Sequence, residues 1–162
     1  MRVGIGYDIH RLARGRKLIL GGVQLSFPKG LVGHSDGDVL YHAVVDAALG
    51  AAGLGDIGDY FSDRDARHKG RDSADFVRET RKLLARKGLG VAQIDTVLVL
   101  EKPKLSGHKE KIRQSVAAAW GLRPSAVNVK AKTNEGLDAV GRGLAIACYA
   151  VVVLDPMKKG KK

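Results

Sequence analysis

Asp8-Ile9-His10 sets a carboxylate and an imidazole two residues apart. Along an extended strand that spacing turns both side chains to one face. An oxygen and a nitrogen donor aimed at one spot suit a divalent cation such as zinc, although an ordinary strand surface can carry the same pair. His42 adds a third donor, one helical turn after Asp38 and one turn before Asp46, among Leu40, Val44, Val45 and Leu49. This polar stripe is either a helix face turned to water or a metal ligand flanked by carboxylates. In the second case Asp8, His10 and His42 form a three-ligand site with one coordination position open, and Asp46 accepts from the other ring nitrogen of His42.

Three further groups could meet a phosphorylated ligand. His34-Ser35-Asp36-Gly37-Asp38 precedes the helix; its amides, hydroxyl and imidazole could cradle an anion, or Ser35 or Asp36 could simply cap the helix. In Gly55-Asp56-Ile57-Gly58 two glycines allow close backbone approach and Asp56 can accept from hydroxyls, unless the segment is an ordinary turn. Lys132-Thr133-Asn134-Glu135, at a strand end, offers donors for phosphate and a carboxylate for a hard cation.

The elements that must position these residues follow from the hydrophobic pattern. Residues 2–10 read as a strand with Val3, Ile5, Tyr7 and Ile9 on one face and Gly4, Gly6, Asp8 and His10 on the other. Residues 17–20 and 23–25 flank Gly21-Gly22, which signals a hairpin or a bulge. An alanine-rich helix is expected from Asp38 to Ala52, ending at Gly53. A second runs from a Ser73 cap to Gly88, burying Phe76, Val77, Thr80, Leu83 and Leu84, and a third spans Ser106 to Trp120. Strands are expected at 94–101, 127–133 and 143–154. Strands opening and closing the chain, with helices between them, predict an α/β fold: a single-domain sandwich of a mixed β-sheet with helices packed on one face.

Composition narrows the function. The 162 residues suit one catalytic domain over 1–156 and a basic tail over 157–162. No apolar run approaches the roughly 18 residues of a membrane span. The chain opens directly on a strand, so no leader is expected, and the lone Cys148 fits a reducing cytoplasm. The net charge of +11 invites a nucleic-acid partner. Four of the lysines, however, crowd the tail, and Arg78, Arg81, Lys82, Arg86 and Lys87 alternate with Asp75 and Glu79 as on a solvated helix. Aromatics are 5% and none interleaves with the basic groups, so base-stacking platforms are missing and neither nucleic acid nor membrane is the expected partner.

In order, D-x-H, H-S-D-G-D, G-D-I-G, a P-K-L segment after a strand, and K-T-N-E closely resemble the 2-C-methyl-D-erythritol 2,4-cyclodiphosphate synthases, from Arg2 to about Leu154. The resemblance implies a zinc site at Asp8, His10 and His42 and a second cation, magnesium or manganese, at Glu135. It implies that His34 and Ser35 meet the methylerythritol and its phosphate, and that Asp56, Ile57 and Gly58 hold its hydroxyls. The lid would be Phe61-Ser62-Asp63-Arg64-Asp65. The cytidine pocket would be Leu100-Glu101-Lys102-Pro103-Lys104-Leu105-Ser106 with Ala131, Lys132, Thr133 and Asn134. It also implies a homotrimer with shared sites, in which Arg142 faces an axial cavity. Ser62 stands where proline is usual, Lys132 where threonine is frequent, and Asp138 and Ala139 where glycine and phenylalanine are common.

The implied substrate is 4-diphosphocytidyl-2-C-methyl-D-erythritol 2-phosphate, a cytidine diphosphate. Its 2-phosphate has a second pKa of about 6 and is mostly dianionic at neutral pH. It can therefore attack the β-phosphorus unaided, with His34 and Thr133 as the catalytic side chains stabilising the crowded phosphates. The rivals are a zinc phosphoesterase using a metal-bound water and a basic nucleic-acid module.

Overall fold

The structure is a computed structural model and describes residues 1–62 and 70–157. Five strands form one sheet: β1 (Arg2–Arg14), β4 (Lys29–Leu31), β5 (Leu89–Val99), β6 (Val127–Lys132) and β7 (Ala145–Pro156), in the order β4-β1-β7-β5-β6. β5 and β6 run parallel and the other pairs antiparallel, so the sheet is mixed. β2 (Leu18–Leu20) and β3 (Val23–Leu25) make the hairpin read from Gly21-Gly22. The helices are α1 (Val39–Ala52), α2 (Ile57–Tyr60), α3 (Ser73–Arg86), α4 (Lys109–Trp120) and α5 (Asp138–Gly141).

The alternation in β1 holds, and it decides how α1 lies. Gly4 and Gly6 face the helix so closely that an added Cβ would stand 2.1 Å from the Ala47 and Ala43 carbonyl oxygens. Glycine on the strand and alanine on the helix let the two backbones touch. α1 is buried almost throughout, and its ends follow local rules: Asp38 is the N-cap, and Gly53, at φ 65°, closes the C-terminus. Leu40, Leu49, Leu84, Ile94, Leu98, Ile112, Ile146 and Leu154 fill the layer between sheet and helices.

Several boundaries differ from the periodicity. β1 continues to Arg14 because Leu12, Ala13 and Arg14 pair with β4. β5 begins at Leu89 because β7 runs on to Pro156 and supplies partners across a bulge at Val91/Gln93. α3 is capped by Asp72, whose carboxylate accepts from the Ala74 N–H, so Ser73 is its first helical residue. α4 begins at Lys109, since the Leu105 carbonyl closes a turn with the His108 and Lys109 amides.

Candidate metal centre and substrate clefts

β1 presents Asp8 and His10 on the face that α1 covers, and α1 brings His42 onto them. The three donor atoms form a triangle with 3.0 Å sides: Asp8 Oδ2 to His10 Nε2, Asp8 Oδ2 to His42 Nδ1, and His10 Nε2 to His42 Nδ1. Ligands on a tetrahedral ion with bonds of about 2.0–2.1 Å stand about 3.4 Å apart, so a few tenths of an ångström of expansion admits one zinc-sized ion. Among the described residues this is the one group of three or more His, Cys, Asp or Glu able to share an ion. Burial would raise the Asp8 pKa, but hydrogen bonds from His10 and His42 and their charge overcome it and hold the carboxyl well below the usual range. Asp8 is thus ionised at neutral pH, the state a metal requires.

The other side of His42 is not where the sequence suggested. Nε2 lies 3.0 Å from Ser35 Oγ and 2.9 Å from Ser73 Oγ. Asp46 instead accepts the Ile57 N–H at 3.2 Å and holds the start of α2, because the Asp56–Gly58 loop docks across that turn of α1. Asp38 also leaves the stripe. It is fully buried, accepting from the Leu40 and Tyr41 amides and, at 2.9 and 2.7 Å, from those of Gly21 and Gly22. Burial, opposed by those amides and reinforced by the charge of Asp36, pushes its pKa up to about 6.

The expected amide cradle before α1 is already occupied. The Asp36 amide bonds the Arg71 carbonyl, Gly37 bonds Ser35 Oγ, Asp38 bonds Asp36, and Leu40 and Tyr41 bond Asp38. The side chains of His34 and Ser35 line the cleft instead. At Gly55, φ 81° and an Asp59 carboxylate oxygen 2.1 Å from any Cβ exclude other residues, so this glycine serves the Asp56–Asp59 capping box.

A cleft of about 650 Å³ opens over the triangle and gathers Asp8, His10, His34, Ser35, His42, Asp46, Asp56, Ile57, Gly58, Phe61 and Ser62. Phe76, read from the sequence as core alone, also lines it, as do Tyr7, Val32 and Gly33. Phe61 departs from the lid expectation: it is 5% exposed and stacks on Phe76 at 4.6 Å, so it anchors the segment in the core. Asp63, Arg64 and Asp65 lie outside the described residues.

A second hollow of about 230 Å³ is lined by Leu100, Glu101, Pro103, Lys104, Leu105, Ser106, Ala131, Lys132 and Thr133, and also by Lys109, which sequence reasoning missed. It shares no residue with the first. The register explains the separation: Asp8 pairs with Cys148, Cys148 with Leu98, and Leu98 with Ala131. Three strand spacings put the two regions about 14 Å apart in one chain. Thr133 Oγ1 donates to Glu135 Oε1 at 2.6 Å, and the Asn134 amide bonds Glu101 Oε1 at 2.8 Å. Glu135 has φ 50°, an uncommon conformation for a side-chain-bearing residue. Lys102 and Arg142 border a third hollow with Glu101, and Arg142 Nε donates to the Asp138 carbonyl.

Fold and site define the class: a mixed-sheet α/β enzyme with two histidines and a carboxylate, able to hold a metal ion, at the floor of a polar cleft. The chain belongs to the YgbB family, whose model matches residues 1–155. A relative from Desulfosudis oleivorans, named 2-C-methyl-D-erythritol 2,4-cyclodiphosphate synthase, is 56% identical over 95% of this chain and 92% of its own. A solved structure of a synthase of that name in a CDP-bound form superposes with a TM-score of 0.88 at 41% identity, covering 95% of this chain and all of that one. The CDP complex of the Plasmodium falciparum IspF gives 0.84 at 34% identity over 97% of both chains.

Proposed function

We infer that this chain is a cyclising phosphorus–oxygen lyase that converts 4-diphosphocytidyl-2-C-methyl-D-erythritol 2-phosphate to 2-C-methyl-D-erythritol 2,4-cyclodiphosphate and CMP, in the non-mevalonate isoprenoid pathway. The observation that carries this reading is the donor triangle of Asp8, His10 and His42 at the floor of a cleft holding His34 and Ser35. In the reaction a 2-phosphate oxygen forms a bond to the β-phosphorus. The bond from the β-phosphorus to the oxygen bridging it to the α-phosphorus breaks, and its electron pair leaves with CMP.

Asp8, His10 and His42 would hold zinc, and Glu135 a magnesium or manganese ion; divalent cations bound there supply positive charge that neutralises the crowded phosphates. His34 offers a donor to the methylerythritol phosphate, beside which Ser35 lines the cleft, while Asp56 with the Ile57–Gly58 turn meets the hydroxyls. Thr133 and Lys132 donate to the diphosphate, and Leu100 to Ser106 receive the cytidine. The chain's own work is positioning: the attacking and leaving groups belong to one substrate, so holding both ends provides most of the acceleration.

Each complete site would combine the triangle of one subunit with the cytidine hollow of its neighbour in a homotrimer. The 14 Å separation supports sharing. So does the uncovered face of the sheet, where Val3, Ile5, Ile9 and Val151 lie in the open with the Tyr7 ring tilted against that of Tyr149, Ile5 being 71% exposed. Such an apolar patch fits contact with further copies of the chain. We take 1–156 as the catalytic domain and the cytoplasm as its place of work; no helix of the described residues is long and apolar enough to cross a membrane.

The test is CMP release from the synthetic substrate followed by mass analysis of the co-product. Ring closure leaves a cyclic diphosphate with no added water. A product carrying the mass of water would favour the phosphoesterase reading and overturn this one.

A further inference from the structure

We propose that Asp36 and Ser73 act together as positioning residues that fix which ring nitrogen of His42 faces the metal. The inference rests on the metal reading of Asp8, His10 and His42. Neither residue lines the cleft, so both must act through His42.

Ser73 is fully buried, and its hydroxyl has one proton to give. That proton goes to Asp36 Oδ1 at 2.5 Å, while Asp36 Oδ2 takes the Ser73 N–H at 3.3 Å. A carboxylate only accepts, so the direction of this bond is fixed. Ser73 Oγ, having donated to Asp36, can meet His42 Nε2 at 2.9 Å only as an acceptor. Nε2 therefore carries a ring proton, and when an ion takes the place of the proton by which Nδ1 bonds Asp8, it is Nδ1 that is left with a lone pair for the ion.

Ser35 completes the network. It accepts the Gly37 amide at 3.1 Å and lies 3.2 Å from Ser73 Oγ, whose second lone pair takes the Ser35 proton. Remove Ser73 and that proton loses its acceptor, with His42 Nε2 standing 3.0 Å away to take it. Donation there would drive the ring proton to Nδ1, the side that must be bare for metal. Asp36 sits before α1 and Ser73 opens α3, so docking these two segments sets the tautomer of a residue on a third.

The experiment uses the full chain as wild type, Ser73→Ala and the isosteric Asp36→Asn. Zinc affinity is measured by competition with a chromophoric chelator. The solvent exchange of the His42 Nε2 proton is followed through its paramagnetically shifted resonance in the cobalt-substituted protein. Loss of a hydrogen bond behind a ligating histidine lowers metal affinity about 10–100-fold, so Ser73→Ala should fall in that range and its Nε2 proton should exchange rapidly. Asp36→Asn keeps an acceptor without the charge and should show a smaller loss of affinity, with faster exchange than wild type.

Unchanged affinity and exchange in both variants would overturn the proposal while leaving the metal site intact. Weakened affinity with an unchanged proton resonance would reduce Ser73 to a structural role and overturn it equally. Wild type that binds no zinc would overturn the metal reading and this inference together. Should Ser73→Ala fail to fold, Asp36→Asn decides by the same two measurements.

Discussion

The two clefts of this chain are built differently. The triangle lies between a strand and a helix packed backbone to backbone, and its ligands reach into a network of buried serines and an aspartate. The second hollow stands at strand ends and beside a loop that includes a positive-φ glutamate. The triangle is assembled by the same contacts that hold the fold together, whereas the second hollow is displayed at its margin. Preorganisation suits ions, whose ligands must converge within tenths of an ångström.

The largest effect should come from lifting α1 off β1. Gly6→Ala places a methyl 2.1 Å from the Ala43 carbonyl oxygen, where only backbone movement can make room. A loss of roughly 3 kcal/mol or more is expected. In thermal denaturation that is a fall of about 6–12 °C for a chain of this size. A Gly6→Ala protein as stable as wild type, with its metal retained, would erase the contrast between the two regions.

Next in size, His42→Ala should abolish zinc binding and activity together. Thr133→Ala combined with Lys104→Ala should lose activity while binding zinc as wild type does. Metal analysis of both purified proteins checks this; zinc loss in the second variant would mean that the two clefts are one unit.

Unfolding these two inactive proteins in equal amounts and refolding them together should restore about a quarter of the sites in a cyclic assembly with one site per interface. No recovery despite subunit exchange verified by mass would place each site within one chain. Glu135→Gln should leave zinc content unchanged and raise the magnesium or manganese concentration needed for half-maximal rate; an unchanged requirement would make Glu135 structural.

The smallest effect concerns Cys148, which sits between the two regions in the register. Burial, with the charges of Asp38 and Asp8, raises its thiol pKa well above the usual value. Thiol reagents at pH 8 should leave the native protein unmodified and label it on unfolding; native-state labelling would show that the sheet opens between the clefts.

Much of this was legible in the order of residues. Alternation in β1 put Asp8 and His10 opposite Ile9, and the spacing of α1 put His42 inside a buried helix, because backbone geometry alone sets both periods. Gly53 and Gly121 ended their helices for the same local reason. The P-K-L and K-T-N-E segments marked the second hollow. The partners of these residues were not legible in the same way. Asp46 and Ser73 are both polar and both within reach of a helix carrying His42 on paper, yet only the docking of α3 and of the Asp56–Gly58 loop settles which one meets Nε2.

The sequence by itself determined which residues could ligate, which faces they share and where the elements end, since each depends on neighbours a few positions away. Tertiary structure alone decided that the triangle closes, that the Asp36 amide is taken by the Arg71 carbonyl, that Phe61 belongs to the core, and that Ser73 rather than Asp46 stands behind His42. The triangle and the Ser73 contacts join segments 31 to 37 residues apart. A hydrogen bond of about 3 Å is fixed by how whole elements pack, through close approaches such as Gly6 against Ala43, and no local pattern encodes it.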